Sequence, residues 1–249
     1  MKAFLTMLAV LPVIALSTSA SEASAQTGSM ISFGQQGAYH GYFVPGKDGA
    51  KLPGIVMIHE WWGLNDHIKA EAEKYGCAGY NVLAVDLFGK VATMPDEAKK
   101  LVQGLDQPAA TAQLLAAADY LRTLPNANGR VGSLGWCFGG GQSLILALND
   151  PKLTAAVIYY GQPVTDPQQL KKIKAPILGH FGEADQSIPL AKAKEFNQAL
   201  TAAGVPHTIY TYPGAAHAFA NPTNSTGYNR EAADKANKRT EAFLKKFLK

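Results

Sequence analysis

The sequence predicts an α/β domain built on a mostly parallel central sheet with helices on both faces. Three observations carry that expectation. Runs that are apolar at every position, such as Ile55-Val56-Met57-Ile58 and Val82-Leu83-Ala84-Val85, alternate along the chain with segments of helical spacing. Strands with no polar face belong to sheets covered on both sides. The junction Gly135-Trp136-Cys137-Phe138-Gly139 sets one functional side chain among small residues between such a run and a helix. No repeat or linker divides the 249 residues, so a single domain is expected.

Taken in order, the chain opens Met1-Lys2, runs apolar from Phe4 to Leu16, then turns small and polar as far as Ala23-Ser24-Ala25. A thirteen-residue run, apolar but for Thr6, is short of the roughly 20 a bilayer span requires, and A-x-A is a signal-peptidase pattern. Residues 1–25 therefore read as a removable signal, Gln26 as the mature N-terminus, and the product as periplasmic or secreted. Residues 26–37 carry Ser, Gly and Gln and read as beginning with a flexible leader, and Ala38 to Val44 reads as an edge strand. Leu52 to His59 and Asn81 to Asp86 are buried strands around a helix from Asn65 to Ala78. Residues 88–108 are the least regular part, suited to a cap or a pocket wall. A helix opened by Pro108 follows, then the strand Arg130 to Leu134 and its helix to about Leu148. Strands at Thr154 to Tyr160, Ala175 to Phe181 and His207 to Tyr212, with helices at Leu190 to Ala203 and Asn229 to Phe247, complete the pattern.

Composition excludes several functions. A net charge of +4 is mild, and the C-terminal lysines alternate with Ala236, Phe243, Leu244 and Phe247 as an amphipathic helix does. Nothing in this points to nucleic acid. Of the two cysteines, Cys77 sits at an expected helix end and reads as a small buried hydrophobe. No C-x-x-C supports a thiol redox protein. His59, Glu60 and His67 lack the H-E-x-x-H spacing of a zinc hydrolase. No cofactor and no metal are expected.

The 135–139 junction has the form of a nucleophile elbow, G-x-C-x-G, in which a strained turn lifts one side chain above the carboxyl end of the sheet. The N–H groups that follow, at a helix N-terminus, face developing negative charge. A buried structural cysteine is the other reading. Three polar residues occupy loops after strands, where catalytic groups of parallel sheets collect. Glu60 follows the strand ending Ile58-His59, Asp185 lies in Gly182-Glu183-Ala184-Asp185, and His217 follows Gly214-Ala215-Ala216. Nucleophile, acid and histidine in the order 137, 185, 217 is the order of an α/β-hydrolase. Glu183 competes with Asp185 for the acid position.

These motifs resemble the dienelactone hydrolase family. The matching segments are His59-Glu60-Trp61-Trp62-Gly63, Gly135-Trp136-Cys137-Phe138-Gly139-Gly140, Gly182-Glu183-Ala184-Asp185 and Gly214-Ala215-Ala216-His217-Ala218-Phe219; Asn81 to Leu87 and Tyr159-Tyr160-Gly161 match too. The resemblance implies the α/β-hydrolase fold, a Cys137–Asp185–His217 triad, and an oxyanion hole from the N–H groups of Phe138 and Trp61. It also implies a gating role for Glu60, against which the resting thiol stays protonated until substrate displaces the carboxylate. The activity implied is hydrolysis of a carboxylic ester or lactone through an acyl-thioester.

One departure bears on substrate. Dienelactone-cleaving members hold the substrate carboxylate with arginines, and the position after His217-Ala218-Phe219-Ala220 is the neutral Asn221. Residues 88–121 contain no arginine either, and lysines such as Lys90, Lys99 and Lys100 lack the planar fork that fits a carboxylate. Trp61, Trp62, Trp136, Phe138, Tyr160 and Phe219 are candidates to line an aromatic pocket for a neutral ester or lactone, with a place in the core as the other reading for some of them. The expected partner is that small molecule, with neither nucleic acid nor membrane, and the chain is expected to be a monomer. The alternative function is a non-catalytic, small-ligand-binding protein of the same fold.

Overall fold

The computed structural model describes residues 27–47 and 51–249, so the expected signal segment and Gln26 lie outside the described residues. Eight strands form one sheet in the order β1-β2-β4-β3-β5-β6-β7-β8. β1 (Ser29–Phe33) and β2 (Tyr39–Val44) are antiparallel to their neighbours, whereas β3 (Leu52–Ile58), β4 (Asn81–Val85), β5 (Ala127–Trp136), β6 (Ala155–Tyr159), β7 (Ile177–Gly182) and β8 (His207–Tyr212) run parallel.

The edge differs from the expectation. Residues 29–33, given no strand in the sequence reading, form the edge strand and move β2 to second place. Their pairing is anchored by Glu73, which accepts the Thr27 and Gly28 N–H groups at 3.0 and 2.8 Å.

Helices cover both faces, as apolar strands require. α1 (Asp66–Cys77) and α7 (Arg230–Leu248) pack on one side, where Ile68, Ala72, Leu244 and Leu248 meet Ile55, Met57 and Val157. α3 (Gln107–Thr123), α4 (Phe138–Asn149) and α6 (Leu190–Ala203) lie on the other, with Leu114, Leu121, Leu144 and Phe196 against Val56, Ile58 and Ile177. α2 (Pro95–Gln103) and the single-turn α5 (Pro167–Leu170) fill the connections. Asn65, Asp106 and Asn229 cap α1, α3 and α7 by accepting the N–H three residues on.

A buried polar chain ties α7 to the strands that carry the acid and the histidine. His180 bonds Tyr212 OH through Nδ1 (2.8 Å) and Thr240 Oγ1 through Nε2 (3.0 Å), and Thr240 reaches Tyr159 OH at 2.7 Å. Burial, then the charge of Arg239, lowers His180 to about 3, so it is a neutral structural ring.

Cys77 is a correction: it is exposed at the last residue of α1, because α1 turns its 68/72/75 stripe to the sheet and leaves position 77 to solvent.

Candidate active site

Five strand ends converge on one cleft of about 1160 Å³. Glu60 follows β3, Cys137 follows β5, Tyr160 follows β6, Asp185 follows β7 and His217 follows β8. The elbow is tight for steric reasons. A Cβ on Gly135 would stand 2.0 Å from the Gly139 carbonyl oxygen, and one on Gly139 would stand 2.3 Å from that of Ile58. Only glycine lets α4 start this close to β3 and β5.

Cys137 itself has φ +53° and ψ −119°. Tyr160 (φ +37°) and Ala218 (φ +57°) also have left-handed backbones and also line the cleft. Each such residue costs about 1–3 kcal/mol, and three of the four non-glycine residues with positive φ among the described residues lie at this cleft, with Gln36 the exception.

The sulfur of Cys137 lies 3.1 Å from His217 Nε2, and His217 Nδ1 lies 2.7 Å from Asp185 Oδ2. Asp185 Oδ1 accepts the N–H groups of Ser187 (2.7 Å) and Ile188 (2.9 Å), which fixes the carboxylate. Burial would raise the Asp185 carboxyl, but the His217 bond and these N–H groups override it and hold it below its ordinary value. Burial likewise opposes a charged His217, yet the bonds to Asp185 and Cys137 outweigh it and raise the imidazole to about 10. Glu183 is exposed and accepts from Thr211 Oγ1 at 2.8 Å, so Asp185 and not Glu183 faces the histidine.

Glu60 is buried at 3% exposure beside this row. Asn221 Nδ2 donates to its Oε2, while Oε1 has no hydrogen-bond partner among the described residues. Burial raises its carboxyl to about 7, against the opposing pull of Asn221 and His217. In place of the expected resting contact between thiol and Glu60, the Cys137 sulfur pairs with His217 and the Asn221 amide takes Glu60 Oε2. Asn221 does line the cleft, as a partner of Glu60.

Trp61, Trp62, Phe138 and Tyr160 line the cleft as expected. Trp136 and Phe219 do not. Trp136, the last residue of β5, turns under the sheet against Tyr159 at 5.7 Å, and Phe219 is enclosed between Tyr160 and Tyr212. Both are core: they belong to the same buried cluster, on the side of the sheet that α1 and α7 cover.

Further residues of α4 and α2, not singled out in the sequence apart from Lys99, supply much of the wall. Gly141, Gln142 and Ile145 continue from Phe138 at helical spacing along α4. Lys99, Val102 and Gln103 come from α2, so the 88–108 segment is the pocket wall it was suited to be. Gln142 is fixed by paired amide bonds to Gln107 at 2.9 and 2.8 Å. Helical periodicity counted onward from Cys137 would have found the α4 residues; nothing local marks those of α2.

Comparison with known proteins agrees with this architecture. A family model described as "Dienelactone hydrolase family" matches residues 39–248. A carboxymethylenebutenolidase of Pseudomonas putida is 32% identical over 208 residues, covering 78% of this chain and 86% of that protein. Protein usf of Aquifex pyrophilus is 31% identical, covering 89% of this chain and 99% of that one. Among solved structures, a dienelactone hydrolase-like promiscuous phosphotriesterase from metagenomic libraries superimposes with a TM-score of 0.81 at 23% identity, over 90% of this chain and 99% of that one; at that identity it supports the fold alone. With the family matched over most of its length on an eight-stranded, mostly parallel sheet, the chain belongs to the dienelactone hydrolase family, hydrolases of the α/β-hydrolase fold.

Proposed function

We propose that the chain is an exported, cysteine-dependent hydrolase of neutral carboxylic esters or lactones, acting through an acyl-thioester on Cys137. The observation that carries this reading is the unbroken row from Cys137 Sγ through His217 to Asp185, with contacts of 3.1 and 2.7 Å, at the foot of the cleft.

In this reading Asp185 fixes the orientation of His217 and stabilises the imidazolium while the Cys137 thiolate attacks the carbonyl carbon. A C–S bond forms, and the carbonyl electrons move to oxygen, which the N–H groups of Trp61 and Phe138 receive. Collapse of that oxyanion expels the alkoxide, and His217 gives it the proton. Water then attacks the thioester with His217 as base, releasing acid and restoring the thiol. Glu60, more than half protonated below about pH 7, limits negative charge beside the sulfur.

The preference for neutral substrates rests on the lining. Lys99 is the one lysine or arginine on the cleft wall among the described residues, and the position that bears a clamp arginine in dienelactone-cleaving members holds Asn221, already bonded to Glu60. A substrate carboxylate would lose hydration there with little return. The export component rests on Phe4 to Leu16 and Ala23-Ser24-Ala25. Among the described residues no helix is long and apolar enough to cross a membrane.

Turnover of an activated neutral ester by wild type, Cys137→Ala and His217→Ala tests the reading. Each variant should lose at least about 10²-fold. Near-wild-type turnover by folded Cys137→Ala would refute it.

A further inference from the structure

The Glu60–Trp61 peptide, whose N–H is one of the two proposed oxyanion donors, is gripped from behind by a buried histidine that the triad does not use. His59 is fully buried. Its Nε2 stands 3.2 Å from the Leu87 N–H, just beyond β4, and can only accept from it. The neutral ring has one proton, which is therefore on Nδ1. Nδ1 donates to the Glu60 carbonyl oxygen at 2.6 Å. That oxygen also takes the Gly63 N–H at 3.3 Å.

A trans peptide is planar, and its C=O and N–H point opposite ways. No cis peptide occurs among the described residues. Holding the Glu60 carbonyl therefore fixes the direction of the Trp61 N–H, which donates to no backbone acceptor among the described residues. The same imidazole stacks on Phe138 at 5.8 Å and 22°, and meets Phe88 at 4.8 Å. Phe138 carries the other donor. Burial lowers the pKa of His59, which preserves this one tautomer through the neutral range.

We propose that His59 is a positioning residue for the oxyanion hole: its Nδ1–H bond to the Glu60 carbonyl aims the Trp61 N–H at the developing oxyanion. The proposal rests on the reading of Cys137 as the acylated nucleophile.

Two substitutions separate the donor from the ring. His59→Phe keeps a flat ring between Phe88 and Phe138 and removes the donor. His59→Asn removes the ring but keeps an N–H donor near the position of Nδ1. Both lose the acceptor for Leu87, so that loss cancels between them. In a Cys77→Ala background, activated-ester kinetics are measured alongside the rate of Cys137 alkylation by iodoacetamide. Alkylation passes through no oxyanion and serves as an internal control.

His59→Phe should lower kcat by about 10²-fold, the scale of losing one oxyanion donor. Its KM should stay within about threefold and its alkylation rate within about twofold of wild type, as for an interaction made only in the transition state. His59→Asn should retain kcat within about fivefold. The proposal is overturned if His59→Phe turns over at the wild-type rate, if His59→Asn loses as much as His59→Phe or more, or if alkylation falls in step with turnover. If His59→Phe does not fold, His59→Asn alone decides: a loss of about 10²-fold with unchanged alkylation overturns the proposal. Turnover that survives Cys137→Ala would remove the functional reading itself, whereas Cys137-dependent turnover indifferent to His59→Phe removes only the role of His59.

Discussion

Replacing Glu60 by glutamine should stabilise the protein by an amount that grows with pH. Glu60 is 3% exposed, and burial raises its carboxyl from 4.5 to about 7 despite Asn221 and His217. In the unfolded chain the group ionises near 4.5, while in the folded protein it keeps its proton to about 7. Across that window the unfolded chain binds fewer protons, so stability falls as pH rises. The contribution is full below about 4.5 and lost once pH passes about 7. The interval of roughly 2.5 pH units, at about 1.4 kcal/mol each, comes to about 3 kcal/mol. Glutamine occupies the same space, still accepts from Asn221, and cannot ionise. The gap between Glu60→Gln and wild type should therefore widen by about 3 kcal/mol between pH 4.5 and pH 8, or roughly 6–12 °C in Tm for a chain of this size. Paired urea titrations of the two proteins across that range measure it, since every other titrating group is common to both. A gap independent of pH, or one that narrows as pH rises, would show that Glu60 ionises normally and that the cleft does not desolvate it.

Three further outcomes are expected. Asp185→Asn should fold and lose about 10²-fold or more in kcat, while Glu183→Gln should stay close to wild type in the same ester assay; the reverse ranking would reassign the acid. Wild type should have a higher kcat/KM for a neutral aryl ester than for dienelactone, and Asn221→Arg should narrow the difference by placing a guanidinium beside Glu60. A wild-type preference for dienelactone would show that Lys99 suffices as a clamp. Mass spectrometry of the protein from its native host should find Gln26 as the first residue, and an intact Met1 would contradict export by cleavage.

The central parallel strands were legible because β3, β4 and β6 are buried along their whole length and read as near-continuous apolar runs, and the carboxyl-end loops could be located from them. That placed Glu60, Cys137, Asp185 and His217 together before any coordinates. β1 was not legible: Ser29–Phe33 is short, and its outward Met30 is half exposed. Its place depends on pairing with β2 and on Glu73 more than 40 residues away, contacts that no local pattern encodes. The choice between Asp185 and Glu183 was open for a similar reason. Both sit in one turn, and only the direction of each side chain at the end of β7 separates them. Trp136 and Phe219 show the opposite error. An aromatic side chain next to an active-site turn is as useful to the core as to a pocket: Phe138 lines the cleft while Trp136, on the other side of Cys137, is packed in the core. The partnership of Asn221 with Glu60 spans 161 positions, so the sequence could register the missing arginine but not what the asparagine does in its place.

The central claim is that Cys137 becomes acylated. Rapid quenching of wild type with an activated acetate ester, followed by peptide mass spectrometry, tests it most directly. The account predicts an acetyl thioester on the peptide bearing Cys137, formed and lost at rates that match turnover, and none on that peptide in Cys137→Ala or at a comparable rate in His217→Ala. Steady ester turnover with the acyl group on another residue, or undiminished in Cys137→Ala, would contradict it.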